Sequence, residues 1–305
     1  MGARWRRLIA GFLAALALVC GTLVSTAMLP ERFASSLTGY YRSGEWWVEW
    51  IGPLKDRSVT LFCDKLNALR AGPLAGASAC YWTLVPDKGV YTPEQTTDYA
   101  AFYNALEQGL DKMTGIDLSG ALTLADYYRT DRHWRQEQLE PVVSLLGEQM
   151  GFSSTAVYST QQGPDFIGAY RPYLPGWPRS EPFDWLTGEA IDAAVVENMQ
   201  RPDQTGIYWD QALGSSNQYD LFLGGASPLI TIRSPKAATD RKLVIFGDSF
   251  VSSLAPLLCD VYAEITLVDL RYLGTSVLEE YLDAEGKEVL FAYSAWVVNN
   301  SAMLR

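Results

Sequence analysis

Gly247-Asp248-Ser249 follows the apolar run Leu243-Val244-Ile245-Phe246 and precedes Val251-Ser252-Ser253-Leu254-Ala255. The run predicts a buried parallel strand that stops at the glycine, and the residues after Ser249 predict the start of a helix. A serine in such a turn sits at a sheet edge, with its hydroxyl facing a cleft and free N–H groups behind it. That placement suits attack on an acyl carbon. The hydroxyl needs a base, and the chain contains 1 histidine. If Ser249 uses a histidine, it is therefore His133. Asp131 lies two residues earlier, in Thr130-Asp131-Arg132-His133-Trp134. In an extended or turn conformation, positions i and i+2 face one side, so the carboxylate can reach Nδ1 and leave Nε2 for Ser249. Asp131 would then fix the tautomer and stabilise the imidazolium.

Each piece is weak alone. Asp-x-His is common, and a lone histidine is more often a surface or satisfied core residue than a catalyst. Gly-Asp-Ser turns are common as well. Their joint occurrence carries the reading. Ser252 and Ser253 fall inside the predicted helix and are poorer nucleophiles. Asp248 either acts on substrate or caps the helix, and capping is the simpler role. The expected oxyanion donors are the Ser249 N–H, the Gly274 N–H after the next strand, and the amide of Asn299 or Asn300. These asparagines follow the last strand, at the sheet end where ligands bind in open α/β sheets. Their alternative role is as turn residues near a frayed terminus.

The elements that must position these groups form an α/β pattern. After Ser249 come a helix to about residue 262, a strand at 265–268, a helix near 277–283 and a strand at 288–293. This predicts a parallel sheet with helices on both faces. Upstream, Asp56–Ala71 reads as a helix ended by Gly72-Pro73, and residues 77–86 read as a strand. Thr92, Pro93 and Gln95 signal a helix start, followed by a stripe at Tyr99, Phe102, Tyr103, Leu106, Leu110 and Met113. A further helix runs to Met150 and stops at Gly151, with Pro141 either in its first turn or kinking it. Residues 151–240, rich in Gly, Pro and Ser, predict loops with a small antiparallel insertion and short strands near 166–170 and 228–232. Tyr40, Tyr41, Trp46, Trp47 and Trp50 predict an N-terminal strap packed on the domain; their other reading is a sugar-stacking platform.

Composition bounds the function. The 305 residues are 48% hydrophobic and 19% charged, enough for a large core. Net charge is −11, and the first 29 residues hold three arginines and no acid, so the rest is more acidic still. No surplus of cations remains for phosphates, which excludes nucleic acid. Arg4, Arg6 and Arg7 precede 22 uncharged residues from Leu8 to Leu29, either a cleaved signal peptide or a membrane anchor, with length favouring an anchor. The bulk of the chain, residues 30–305, is expected outside the cytoplasm, anchored or secreted. Cys63, Cys80 and Cys259 allow one disulfide, with Cys63 and Cys80 the nearest pair. Neither a metal site nor a cofactor is implied.

The stretch Tyr127-Tyr128-Arg129-Thr130-Asp131-Arg132-His133-Trp134 resembles the signature of the bacterial DHHW protein family, itself similar to the SGNH-hydrolase-like domains of the alginate acetylation proteins. Leu84-Val85-Pro86-Asp87-Lys88, Tyr219-Asp220-Leu221-Phe222-Leu223-Gly224-Gly225, Gly247-Asp248-Ser249-Phe250 and Val268-Asp269-Leu270-Arg271-Tyr272 agree in order. Arg132 departs from the signature, which has histidine there. The resemblance implies an SGNH-hydrolase-like three-layer α/β fold, with a parallel sheet flanked by helices. It also implies carbohydrate O-acetylation outside the cytoplasm, sometimes beside a membrane-bound O-acyltransferase. Two functions follow. One is a serine acyl enzyme, O-acetyltransferase or O-acetylesterase, acting on cell-surface polysaccharide. The other is a non-catalytic glycan-binding or assembly protein on the same scaffold.

Overall fold

A computed structural model of the chain describes residues 39–94, 97–174 and 179–305. The arginine-led apolar segment lies outside the described residues, as does Gln95. Among the described residues no helix is long and apolar enough to cross a membrane.

The chain opens with a hairpin, β1 (Tyr40–Ser43) against β2 (Trp46–Glu49). Then follow α1 (Asp56–Ala71), β3 (Ala79–Val85), α2 (Tyr99–Gly109), β4 (Thr114–Gly115) and α3 (Glu140–Met150). Next come β5 (Ser159–Gln162), β6 (Asp184–Thr187), α4 (Glu189–Ala193), β7 (Val195–Asn198) and β8 (Leu229–Arg233). The last part holds β9 (Lys242–Gly247), α5 (Val251–Leu254), β10 (Glu264–Val268), α6 (Leu278–Tyr281), β11 (Glu288–Ser294) and α7 (Ala295–Val298).

The main sheet has the order β4-β3-β11-β9-β10-β8-β7. Pairing is parallel from β4 to β10, and β8 and β7 extend that edge antiparallel. β9 lies between β11 and β10, so its apolar run must be buried on both faces. Leu243 and Ile245 pack into one core with Val142, Val143 and Leu146 of α3. Val244 and Phe246 pack into the other with Phe62 and Leu66 of α1 and Phe102 and Leu106 of α2. Each such side chain contributes about 1.5–3 kcal/mol by burial, so a one-residue slip of β9 would exchange both cores at once.

Several local expectations shift. α2 begins at Tyr99, where the Asp98 carboxylate accepts the Ala101 N–H at 2.9 Å. Thr92 does not cap it, because its hydroxyl donates to Gly89 O at 3.1 Å and bonds the Tyr41 hydroxyl at 2.9 Å. The helix after Ser249 is one turn, α5, and then tightens to 3-10 over Ala255–Leu258. Pro256 supplies no N–H and crowds the preceding turn. Residues 229–233 join the main sheet as β8 rather than a separate insertion, while β5 and β6 pair as their own ribbon. Phe166 forms one isolated bridge, to Glu181, in place of a strand. Cys63, Cys80 and Cys259 are buried free thiols, so the Cys63–Cys80 disulfide is absent.

Candidate active site

Ser249 occupies the turn between β9 and α5. Gly247 closes the strand because a Cβ there would come within 2.7 Å of Ala292 O on β11. Only glycine lets the two strands approach. Asp248 points inward. Its Oδ2 accepts the Ser294 N–H at 2.9 Å and the Ser294 hydroxyl at 2.7 Å, and its Oδ1 accepts the Phe250 N–H at 3.2 Å. It thus clasps the end of β11 to the Ser249 turn. The two backbone donors it takes up, together with its burial, give its carboxylate a structural role at the wall of the Ser249 turn.

His133 comes from a tight loop of quite different origin. Tyr127 and Trp134 form an antiparallel bridge, and the Tyr128 N–H donates to His133 O at 3.1 Å. Within the loop, Asp131 Oδ1 accepts the His133 N–H at 3.1 Å, an Asx turn that presents the two side chains together. The same oxygen lies 2.6 Å from His133 Nδ1. His133 Nε2 lies 2.7 Å from Ser249 Oγ. A continuous hydrogen-bonded chain therefore joins residues 131, 133 and 249, charge-assisted at the carboxylate end, and its second link spans the 116 positions between His133 and Ser249. Trp134 is fully buried and fastens the loop to α5, its indole N–H donating to Ser253 Oγ at 2.9 Å. Gln136 adds a bond from its amide to Ser253 O at 3.0 Å.

The support around this chain was not apparent from local sequence. Asp131 Oδ2 accepts the Ala169 N–H at 2.7 Å. Gly168 permits that approach, since a Cβ on it would meet Thr130 O at 2.5 Å. Buried Glu181 accepts the Arg129 N–H at 2.8 Å and the Thr130 N–H at 3.2 Å, which pins the start of the loop. Tyr219 stacks on the imidazole, with centroids 3.8 Å apart and planes 8° apart, and donates its hydroxyl to Ser253 Oγ at 2.8 Å. Tyr219 lies in one of the stretches that resembled the DHHW family; Glu181 carried no signal of its own.

Electrostatics reinforce the polarity of the chain. Burial alone would raise the Asp131 carboxyl. The neighbouring His133 and the hydrogen bonds from His133 and Ala169 outweigh it and hold Asp131 well below the usual carboxylate range. Nearby, burial followed by the Asp248 and Glu49 carboxylates pushes Asp87 up to about 8. Burial lowers Lys88 to about 7, and its ammonium donates to the backbone oxygens of Tyr128, at 2.9 Å, and Trp47. Lys88 thereby ties the hairpin to the loop that carries His133. Arg132 turns to Glu49, at 2.9 Å, and lies over Trp296.

The three proposed accessory donors are not brought to Ser249. Asn299 Oδ1 accepts the Lys55 N–H at 2.8 Å, and its Nδ2 donates to Ile51 O and Pro53 O at 3.2 and 2.9 Å. Asn300 Oδ1 accepts from Lys55 Nζ at 3.1 Å, while its Nδ2 donates to Trp296 O at 2.8 Å. Asn299 fastens residues 51–55 to the C-terminal segment with both ends of its amide, while Asn300 reaches Lys55 with its oxygen and spends its N–H on Trp296. Gly274 opens a 3-10 turn against Arg305 and does not line the cleft at Ser249. A larger cleft of about 590 Å³ between α3 and residues 152–158 contains no member of the Asp131–His133–Ser249 chain.

No family model matches the chain, and no curated protein matches it. Solved structures do. A DHHW family protein from Eubacterium siraeum superposes with a TM-score of 0.70 at 19% identity, over 85% of this chain and 90% of that one. Bacillus cereus PatB1 gives 0.64 at 17% identity, over 85% and 96%, and it is also known with a sulfonyl adduct. The O-acetyltransferase domain of Pseudomonas putida AlgJ gives 0.52 at 13% identity, over 86% and 92%. At these identities the likeness is one of fold, and that fold is the one the DHHW resemblance implies.

Proposed function

We propose that the chain is a serine acyl enzyme of the O-acetyltransferase kind, acting on a polysaccharide outside the cytoplasm. The observation that carries this reading is the continuous Asp131–His133–Ser249 hydrogen-bonded chain at the carboxyl end of the parallel sheet. Ser249 Oγ attacks the acyl carbon of the donor while His133 Nε2 takes its proton. Asp131 keeps the other ring nitrogen protonated and offsets the positive charge that develops. The leaving oxygen recovers the proton from His133, and Ser249 is left as an acyl ester. A sugar hydroxyl, deprotonated by the same Nε2, then takes the acyl group and restores the serine. Water as the acceptor would make the same machinery an esterase. Likeness of fold to an O-acetyltransferase domain supports the transferase direction. A membrane-bound acyltransferase as acyl donor, and tethering through residues 1–29, complete the proposal.

The test is incubation of residues 30–305 with 4-nitrophenyl acetate, followed by mass spectrometry of the peptide containing Ser249. A gain of one acetyl group is expected on Ser249, absent in Ser249→Ala and His133→Ala. Adding oligosaccharide should move the acetyl group to sugar faster than to water. An unmodified Ser249 in folded protein would sink the reading.

A further inference from the structure

We propose that Arg271 is the charged oxyanion donor of this site, held in place by Asp269; the inference rests on Ser249 as nucleophile. When Ser249 Oγ bonds to the acyl carbon, the carbonyl π pair moves onto oxygen, and the serine proton passes to His133. Collapse restores the carbonyl and expels the leaving oxygen with that proton. Between these steps the oxyanion needs donors aimed at it, and such donors are commonly the largest single contribution to acyl transfer.

The structure leaves few candidates. The Ser249 N–H donates to no protein acceptor among the described residues. The Asn299 amide is spent on Ile51 and Pro53, the Asn300 amide on Trp296 O, and the Gly225 N–H on Phe222 O at 3.3 Å. Ser249 lies in a cleft of about 30 Å³, which it lines together with Asp248, Ser252, Asp269 and Arg271. That is space for about one water-sized group, the scale of a carbonyl oxygen. Arg271 is the one cation, and the one side-chain N–H donor, among the residues lining it.

Its orientation is fixed before substrate arrives. Asp269 Oδ1 accepts the Arg271 Nε–H and backbone N–H, both at 2.9 Å, and Oδ2 accepts an Nη2 hydrogen at 2.6 Å. Asp269 is itself held by its N–H on Pro228 O at 3.2 Å, and its carbonyl accepts from Tyr272 and Leu273 at 3.0 and 2.9 Å. The clamp uses one edge of the guanidinium. Nη1 has no protein acceptor among the described residues. A planar fork locked on one side and unspent on the other is a preorganised anion donor. This gives the Val268-Asp269-Leu270-Arg271-Tyr272 stretch a chemical role at the end of β10, beside Ser249 at the end of β9.

The test compares single-turnover acylation by 4-nitrophenyl acetate in wild type, Arg271→Ala, Arg271→Gln and Arg271→Lys, with thermal midpoints alongside. Acylation should fall about 10²–10³-fold in the Ala and Gln variants, through kcat rather than KM, with part of the rate recovered by lysine. The shape of the pH–rate profile should stay as in wild type, because His133 and Asp131 are untouched. Binding of methylboronic acid, an anionic tetrahedral adduct on serine, should weaken in step with the rate. A folded Ala or Gln variant that acylates within about threefold of wild type would overturn the role of Arg271 alone. Failure of wild-type Ser249 to acylate would overturn the functional proposal and this one with it. If Arg271→Ala does not fold, Arg271→Gln carries the comparison.

Discussion

Replacing Asp131 by asparagine separates geometry from charge, since the two side chains have nearly the same shape. Every oxygen of Asp131 faces a donor. Oδ1 accepts from His133 N and faces Nδ1, at 3.1 and 2.6 Å, and Oδ2 accepts from Ala169 N at 2.7 Å. An asparagine must point its NH2 at one of these sides. Turned toward Ala169, it leaves a buried N–H without an acceptor, at a cost of about 1–3 kcal/mol. Turned toward His133, it faces the backbone N–H and forces Nδ1 to act as acceptor. Nε2 then carries the proton and cannot take one from Ser249. Either way, the negative charge opposite the developing imidazolium is gone. The expected outcome is a loss of about 10³–10⁴-fold in acylation, the scale seen for the same change in a serine protease triad. Thermal stability should drop by about 1–3 kcal/mol. The folded carboxyl lies below its unfolded value, so its contribution is present above about pH 4 and vanishes as pH falls further. The stability gap between wild type and Asp131→Asn should therefore close in acid. Burst kinetics with 4-nitrophenyl acetate and thermal melts from pH 3 to 7 read both effects. A variant that acylates within about tenfold of wild type would refute the assignment of Asp131 as the orienting acid.

Two further outcomes follow from the surroundings. Gly168→Ala places a Cβ 2.4 Å from Asp131 Cβ and 2.5 Å from Thr130 O, so the loop must move. It should lose about 1–3 kcal/mol and most acylation although none of Asp131, His133 and Ser249 is itself replaced, checked by melting and burst amplitude. Asp87, at about 8 in the fold, stays protonated there over a range where the unfolded chain has released its proton. Its contribution is complete in acid and declines from about pH 4 to pH 8, at up to about 1.4 kcal/mol per pH unit. Asp87→Asn should remove that decline, and a chemical-denaturation series showing identical slopes in both proteins would contradict the buried, neutral Asp87.

Much of the fold was legible locally. α1 spans Asp56–Ala71 as its pattern indicates, and α3 ends at Gly151, whose φ of +72° only glycine adopts at no cost. The apolar run 243–246 forms β9, because a strand buried on both faces leaves a signature of composition alone. Less legible were segments where a polar side chain had a choice of partners. Thr92 carries the marks of a helix cap, yet its hydroxyl is taken by Gly89 and Tyr41, and Asp98 caps instead.

The same division runs through the site. By itself the sequence determined that a serine would stand at a strand end, that one histidine was available, and that an aspartate lay two residues before it. These are matters of counting and of local backbone geometry. Only the tertiary structure decided that the imidazole reaches Ser249, that Glu181, Ala169 and Tyr219 hold the loop, and that Asn299 and Asn300 serve residues 51–55. A hydrogen-bonding side chain does not select its partner by sequence spacing. It bonds whichever buried donor or acceptor the packing of distant elements brings within about 3 Å, and that choice exists only once the sheet has closed.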